Sequence, residues 1–154
     1  MKNLKRFLPM EGSAALISIH PNYVERILSG EKCLEFRRSW AANPIDILVI
    51  YATAPVQQIV AVTQVGRVFR GSKNRLWELA RDKGGGISRR KLFDYMQGKK
   101  EGVALELLKV FRIDGGISPR TLFGDGFRPP QSFRYLSQYE LTKLEDHLGF
   151  EKWE

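Results

Sequence analysis

Ser29-Gly30-Glu31-Lys32-Cys33-Leu34-Glu35-Phe36-Arg37-Arg38 ends one element of this sequence and begins another. Upstream of it, Tyr23, Val24, Ile27 and Leu28 recur at helical spacing, which predicts a short amphipathic helix over Pro21–Ser29. Pro21 suits the first turn, where its missing N–H is no loss, and Gly30 is a natural stop. Downstream, residues 33–40 read as a strand. Neighbours on a strand alternate, so Cys33, Glu35 and Arg37 point one way and Leu34, Phe36 and Arg38 the other. Leu34 and Phe36 are therefore assigned to the core. Glu35 and Arg37 line the opposite face, with Lys32 at the strand's start. A carboxylate flanked by two cations can hold its charge in a partly buried cleft. Arginine can fork onto a phosphate or a base edge, and glutamate can accept from an amino group. The plainer alternative is a structural ion pair between Glu35 and Arg37.

Working outward, residues 14–20 read as a buried strand, and 45–53 as a second one rich in Ile, Leu and Val. Residues 58–69 form a longer strand. Its Val60, Val62, Val65 and Val68 do not keep one parity, which predicts a bulge near Gln64-Val65-Gly66. Residues 73–99 change character. One helix carries Leu76, Trp77, Leu79 and Ala80 and stops at Gly84-Gly85-Gly86, read as a flexible connector. A second helix is capped by Ser88. Strand returns over 101–113, followed by a helical turn at 117–123, a Gly/Pro-rich loop at 124–133 and a last helix over Gln138–Leu148. Short strands interleaved with small helices predict an α+β fold, a small mixed β-barrel with short helices at its periphery. The chain divides into a loose N-terminal arm at 1–13 and one domain at 14–154 with a helical insert near 73–99.

Composition narrows the partners. Twenty-five Lys and Arg against 17 Asp and Glu give a net charge of +8. That excess favours a polyanion, because phosphate neutralisation releases counterions. Cys33 is the only cysteine, which excludes an internal disulfide or a cysteine-rich zinc site and fits a cytoplasmic location. His20 and His147 are the only histidines, and they show no metal-ligand spacing. No metal, cofactor or membrane span is expected, and protein partners stay open. Arg89-Arg90-Lys91, with Lys73, Arg75, Lys99 and Lys100, reads either as a phosphate-contacting patch or as a solvated helix face.

Gly30, Lys32, Glu35 and Arg37 make the pattern G-x-K-x-x-E-x-R. Preceded by a strand and a proline-started helix, it resembles the opening of the ASCH family, whose fold is PUA-like. Pro129-Pro130-Gln131-Ser132-Phe133-Arg134-Tyr135-Leu136 resembles the late segment of some members. The resemblance implies binding of RNA or of a modified nucleoside, and the first reading is an RNA- or nucleotide-binding domain that serves in regulation. It also implies a metal-independent hydrolase as an alternative, of ribonuclease or acetylcytidine amidohydrolase type. The amidohydrolase members match at Lys32 but carry a threonine nucleophile where this sequence has Glu35. If the chain is an enzyme, Glu35 is the expected base and Lys32 the electrostatic stabiliser. A protein-interaction domain is the third reading. The expected ligand-binding residues are Lys32, Glu35, Arg37, Tyr51, Thr53, Ser132, Phe133 and Arg134. Lys32, Arg37 and Arg134 are expected to converge on one cleft, with Arg67 or Arg70 at its edge.

Overall fold

A computed structural model describes residues 13–148. Ala14–Ile19 is apolar at both parities because both of its faces are covered, and it forms strand β1. Helix α1 (Pro21–Ser29) follows directly. The His20 ring caps it, accepting the Asn22 N–H through Nδ1, and Gly30 closes it. Strand β2 (Leu34–Arg37) is shorter than the predicted 33–40. Its partner explains the length: Arg37 pairs with Val103, and the partner strand begins at Gly102. Then come β3 (Ile47–Ala52), β4 (Gln58–Gly71), α2 (Lys73–Lys83), α3 (Arg89–Tyr95) and β5 (Gly102–Ile117). Helix α4 (Pro119–Phe123), strand β6 (Phe133–Tyr135) and helix α5 (Gln138–Leu148) complete the described chain. The arm expected at 1–13 lies outside the described residues apart from Ser13.

Six strands among the described residues form one mixed sheet in the order β2-β5-β4-β3-β1-β6. β1 runs parallel to β3, and the other pairings are antiparallel. The sheet curls into a half-barrel with short helices on its surfaces, a small α+β fold as the sequence predicts. β4 slips register against β5 between Val62 and Gln64 and again between Val65 and Val68. Those irregularities bracket the predicted bulge and explain the broken valine parity.

Three apolar clusters follow from the alternation. Ile17, Leu48, Ile50, Val103 and Leu105 fill the concave side together with Val24 and Ile27 of α1. Leu16, Val49, Tyr51 and Val62 face the other way, against Leu122 and the Leu141 and Leu144 face of α5. Leu34 and Phe36 are buried as predicted, but against α2 and α3, with Leu76, Leu79, Leu92 and Met96. The insert is thus what covers the outer face of β2. No helix among the described residues is long and apolar enough to cross a membrane.

Candidate functional site

Because Leu34 and Phe36 turn toward the insert, Glu35 and Arg37 turn inward, opposite Leu105 and Val103 of β5. Both are buried, and so is Lys32. The three interlock. Arg37 Nε donates to Glu35 Oε2 at 3.0 Å, with its Nη2 2.8 Å from the same oxygen. Lys32 Nζ stands 3.8 Å from Glu35 Oε1. Two cations against one carboxylate leave a net positive floor, suited to an anion. Burial pulls the Lys32 ammonium below its usual pKa, and the Glu35 charge opposes that pull.

The floor belongs to a pocket of about 240 Å³ at the mouth of the half-barrel. Ser18 and His20 border it from the β1–α1 junction, Tyr23 from α1, and Ile87, Lys91 and Tyr95 from the insert. Lys32 Nζ lies 5.2 Å from the Tyr23 ring centroid and 4.9 Å from that of Phe36, favourable ground for a desolvated cation. Arg37 Nη2 also donates to Ser18 O at 2.8 Å. That bond joins β2, one margin of the sheet, to β1, which lies near the other.

The triple glycine is not merely a connector. Lys32 Nζ donates to Gly85 O at 2.9 Å, Arg26 Nη1 to Gly86 O at 2.8 Å and Cys33 N to Gly84 O at 2.7 Å. Gly86 sits at φ +61°, and a Cβ there would stand 2.5 Å from Lys32 Cβ. The glycine loop is a close-fitting cradle that aims the lysine.

The structure brings together only part of the predicted set. Lys32, Glu35 and Arg37 share the pocket. Ser132 lies next to it, in a depression that also includes Arg37, Arg38 and Tyr95. Phe133 packs on Trp40, ring centroids 4.8 Å apart, beside the concave cluster. Arg134 follows it on the strand and so faces the other way. It forks onto Glu140, at 3.0 and 2.8 Å, and stacks over Phe123, so it does not join Lys32 and Arg37. Tyr51 lies on the opposite face of the sheet from Glu35, in a separate depression with Gln57, Arg120 and Phe127. Thr53 caps the end of β3, its N–H donating to Ile19 O at 3.0 Å. Neither Arg67 nor Arg70 borders the pocket; Arg67 lies over Phe69, 4.9 Å from its centroid. Sequence reading passed over His20, Tyr23 and Tyr95 as site residues. The usable signal for Tyr95 was its place four residues after Lys91, on the same helical face.

Fold and site together describe a small half-barrel with a basic, aromatic-walled pocket at its mouth. No protein-family model matches the chain. An ASCH domain-containing ribonuclease of Zymomonas mobilis is 30% identical over 136 residues, spanning 84% of this chain and 88% of the relative. The crystal structure of ASCH from Zymomonas mobilis superposes with a TM-score of 0.78 at 28% identity, covering 86% of this chain and 94% of that one. Crystal structures of a tyrosine-to-phenylalanine and a serine-to-alanine variant of that protein superpose with the same score of 0.78. The chain belongs to the ASCH domain family.

Proposed function

We propose that this ASCH domain binds RNA, with a nucleotide seated in the pocket at the mouth of the half-barrel. The observation that carries the reading is the buried Lys32–Glu35–Arg37 network, whose excess positive charge faces a pocket walled by Tyr23 and Tyr95. Cations take the phosphate and aromatic rings take a base, the pairing that single-stranded RNA requires. At about 240 Å³ the pocket is smaller than the roughly 300–1,000 Å³ typical of drug-sized ligands, which suits one base or one phosphate with its sugar. The single free Cys33 fits a cytoplasmic setting. The test is fluorescence anisotropy of a labelled single-stranded RNA across a salt series. Affinity should fall with salt, by a log–log slope of about −0.7 per phosphate neutralised. Lys32→Met should weaken binding about tenfold. Affinity indifferent to both salt and Lys32→Met would rule the reading out.

A second reading, cleavage of RNA, is favoured by the ribonuclease relative. In it Glu35 takes the proton of a ribose 2′-hydroxyl as that oxygen attacks the adjacent phosphorus. Lys32 and Arg37 hold the charge that builds on the phosphate, and the 5′-oxygen leaves with a proton from solvent. A labelled RNA should then be cut in the presence of chelator, and its all-deoxy counterpart bound but left intact. The relative's solved variants replace a tyrosine and a serine. In this chain Tyr23 and Tyr95 wall the pocket and Ser132 lies in the depression next to it, so Tyr23→Phe, Tyr95→Phe and Ser132→Ala belong in the same assay.

A further inference from the structure

The pocket is not an isolated hollow. On one side it shares Arg37 and Tyr95 with a depression of about 300 Å³ that reaches Arg38, Ser39 and Ser132. On the other it shares His20, Tyr23 and Lys91 with one of about 400 Å³ that reaches Asn22, Arg26 and Asp94. The three make one groove: α3 lines it throughout, while α1 borders the central and the 400 Å³ depressions and Gln131 and Ser132 border the third. Lys32, Arg37 and Lys91 stand at its centre, Arg38 at one end and Arg26 at the other. Cations stand along its whole length, although at one end Arg26 pairs with Glu31 at 3.5 Å and Asp94 lines the wall, and such a row matches a strand with a charge on every residue, not a single small molecule.

Charge partition points the same way. Residues 67–101 hold eleven Lys and Arg against four Asp and Glu, a net +7 of the chain's +8. Nearly all the basicity therefore sits in the segment that includes the α3 wall. Arg89 adds a guanidinium 4.1 Å over the Phe93 ring, and Lys73 an ammonium 5.2 Å from it, on the insert.

We infer that the three depressions are consecutive subsites for one single strand of RNA, running from Arg38 and Ser132 through Lys32 to Arg26. This rests on the proposed RNA reading and deepens it by setting the length and path of the strand. Affinity is expected to rise with each nucleotide up to about three, one per depression, and then to level off.

Ser39→Glu and Asn22→Glu place a negative charge at the two ends. Both residues are exposed, and a carboxylate at Asn22, in the first turn of α1, suits the helix dipole. Each is expected to weaken a hexanucleotide about tenfold and to leave adenosine monophosphate within about twofold of the parent. Asp94→Asn, which removes a carboxylate from the α3 wall, is expected to tighten the hexanucleotide about threefold, a gain that misfolding cannot mimic. Isothermal titration of parent and variants with both ligands reads all of this. If neither end variant, or only one, alters hexanucleotide affinity while Lys32→Met still weakens it, the strand path is wrong and the RNA site stands. If the parent binds adenosine monophosphate as tightly as the hexanucleotide, the subsites are also refuted. A parent that binds neither overturns both.

Discussion

Gly86→Ala tests the cradle that aims Lys32. Gly86 has φ +61°, and the added methyl carbon would stand 2.5 Å from Lys32 Cβ and 2.9 Å from Lys32 Cγ. A left-handed alanine costs about 1–2 kcal/mol. Crowding a packed site adds about 1–3 kcal/mol. Reduced freedom of the unfolded chain returns about 0.4–1 kcal/mol. The expected loss of stability is therefore about 2–4 kcal/mol. Gly98→Ala is the control, since Gly98 has φ +80° but nothing within 4 Å of a would-be Cβ. It should lose only the backbone part, about 1 kcal/mol. Urea unfolding of the two variants isolates the crowding as the difference in ΔG. RNA affinity should also drop for Gly86→Ala alone, because Lys32 must leave its 2.9 Å bond to Gly85 O. Two variants equal to within about 0.5 kcal/mol would show that the loop does not press on the lysine.

Glu35→Gln keeps an acceptor for Arg37 and is expected to hold RNA affinity within about threefold while lowering any RNA turnover by about 10²–10⁴-fold; turnover equal to the parent's removes Glu35 as the base. Lys32 bears on pH. Burial holds its folded pKa below 10.5, so unfolding takes up a proton between the folded value and 10.5, and stability contributed by this group rises with pH across that window. Lys32→Met should flatten that alkaline rise in chemical denaturation, and an unaltered profile refutes the assignment. Arg134→Gln should cost about 0.5–1 kcal/mol through its partly exposed bond to Glu140 and leave RNA affinity unchanged, as titration with the hexanucleotide will show. The Arg134 hydrogen bond lowers the Glu140 pKa, so this stability is present above the usual carboxylate range and lost as pH falls through the folded value. Arg134→Gln should reduce that acid dependence, the Ser137 N–H bond to Glu140 at 2.9 Å keeping the remainder.

The parts of the structure legible from sequence were those decided locally. A proline at the start and Gly30 at the end bounded α1, and Ser88 caps α3 by accepting the Lys91 N–H at 3.2 Å. Strand alternation alone separated Glu35 and Arg37 from Leu34 and Phe36. What escaped was decided by partners distant in sequence. β2 ends early because β5 has only Gly102 beyond the Arg37–Val103 pair. β6 is three residues long and owes its existence to β1. Arg134 looked like a third cation for the cleft because Phe133 and Ser132 lie near it. The odd step of one residue sends its guanidinium to Glu140 instead. The glycine loop carries no apolar pattern, so nothing in its composition showed that three backbone carbonyls would be used to fix Arg26, Lys32 and Cys33.

If RNA binds as proposed, the Arg37 bond to Ser18 O makes ligand binding and the closure of the half-barrel one equilibrium. The same guanidinium that spans from β2 to β1 is a natural partner for a phosphate in the pocket. If the phosphate adds to that bond, occupancy clamps β2 to β1 and slows exchange of the β2 amides. If it competes with Ser18 O, occupancy releases the seam. Either way the linkage is reciprocal: whatever loosens the seam changes affinity by the same factor by which ligand changes the seam. A protein built like this reports its ligand through the stability of the seam between β2 and β1, and amide exchange on β2 would read occupancy directly.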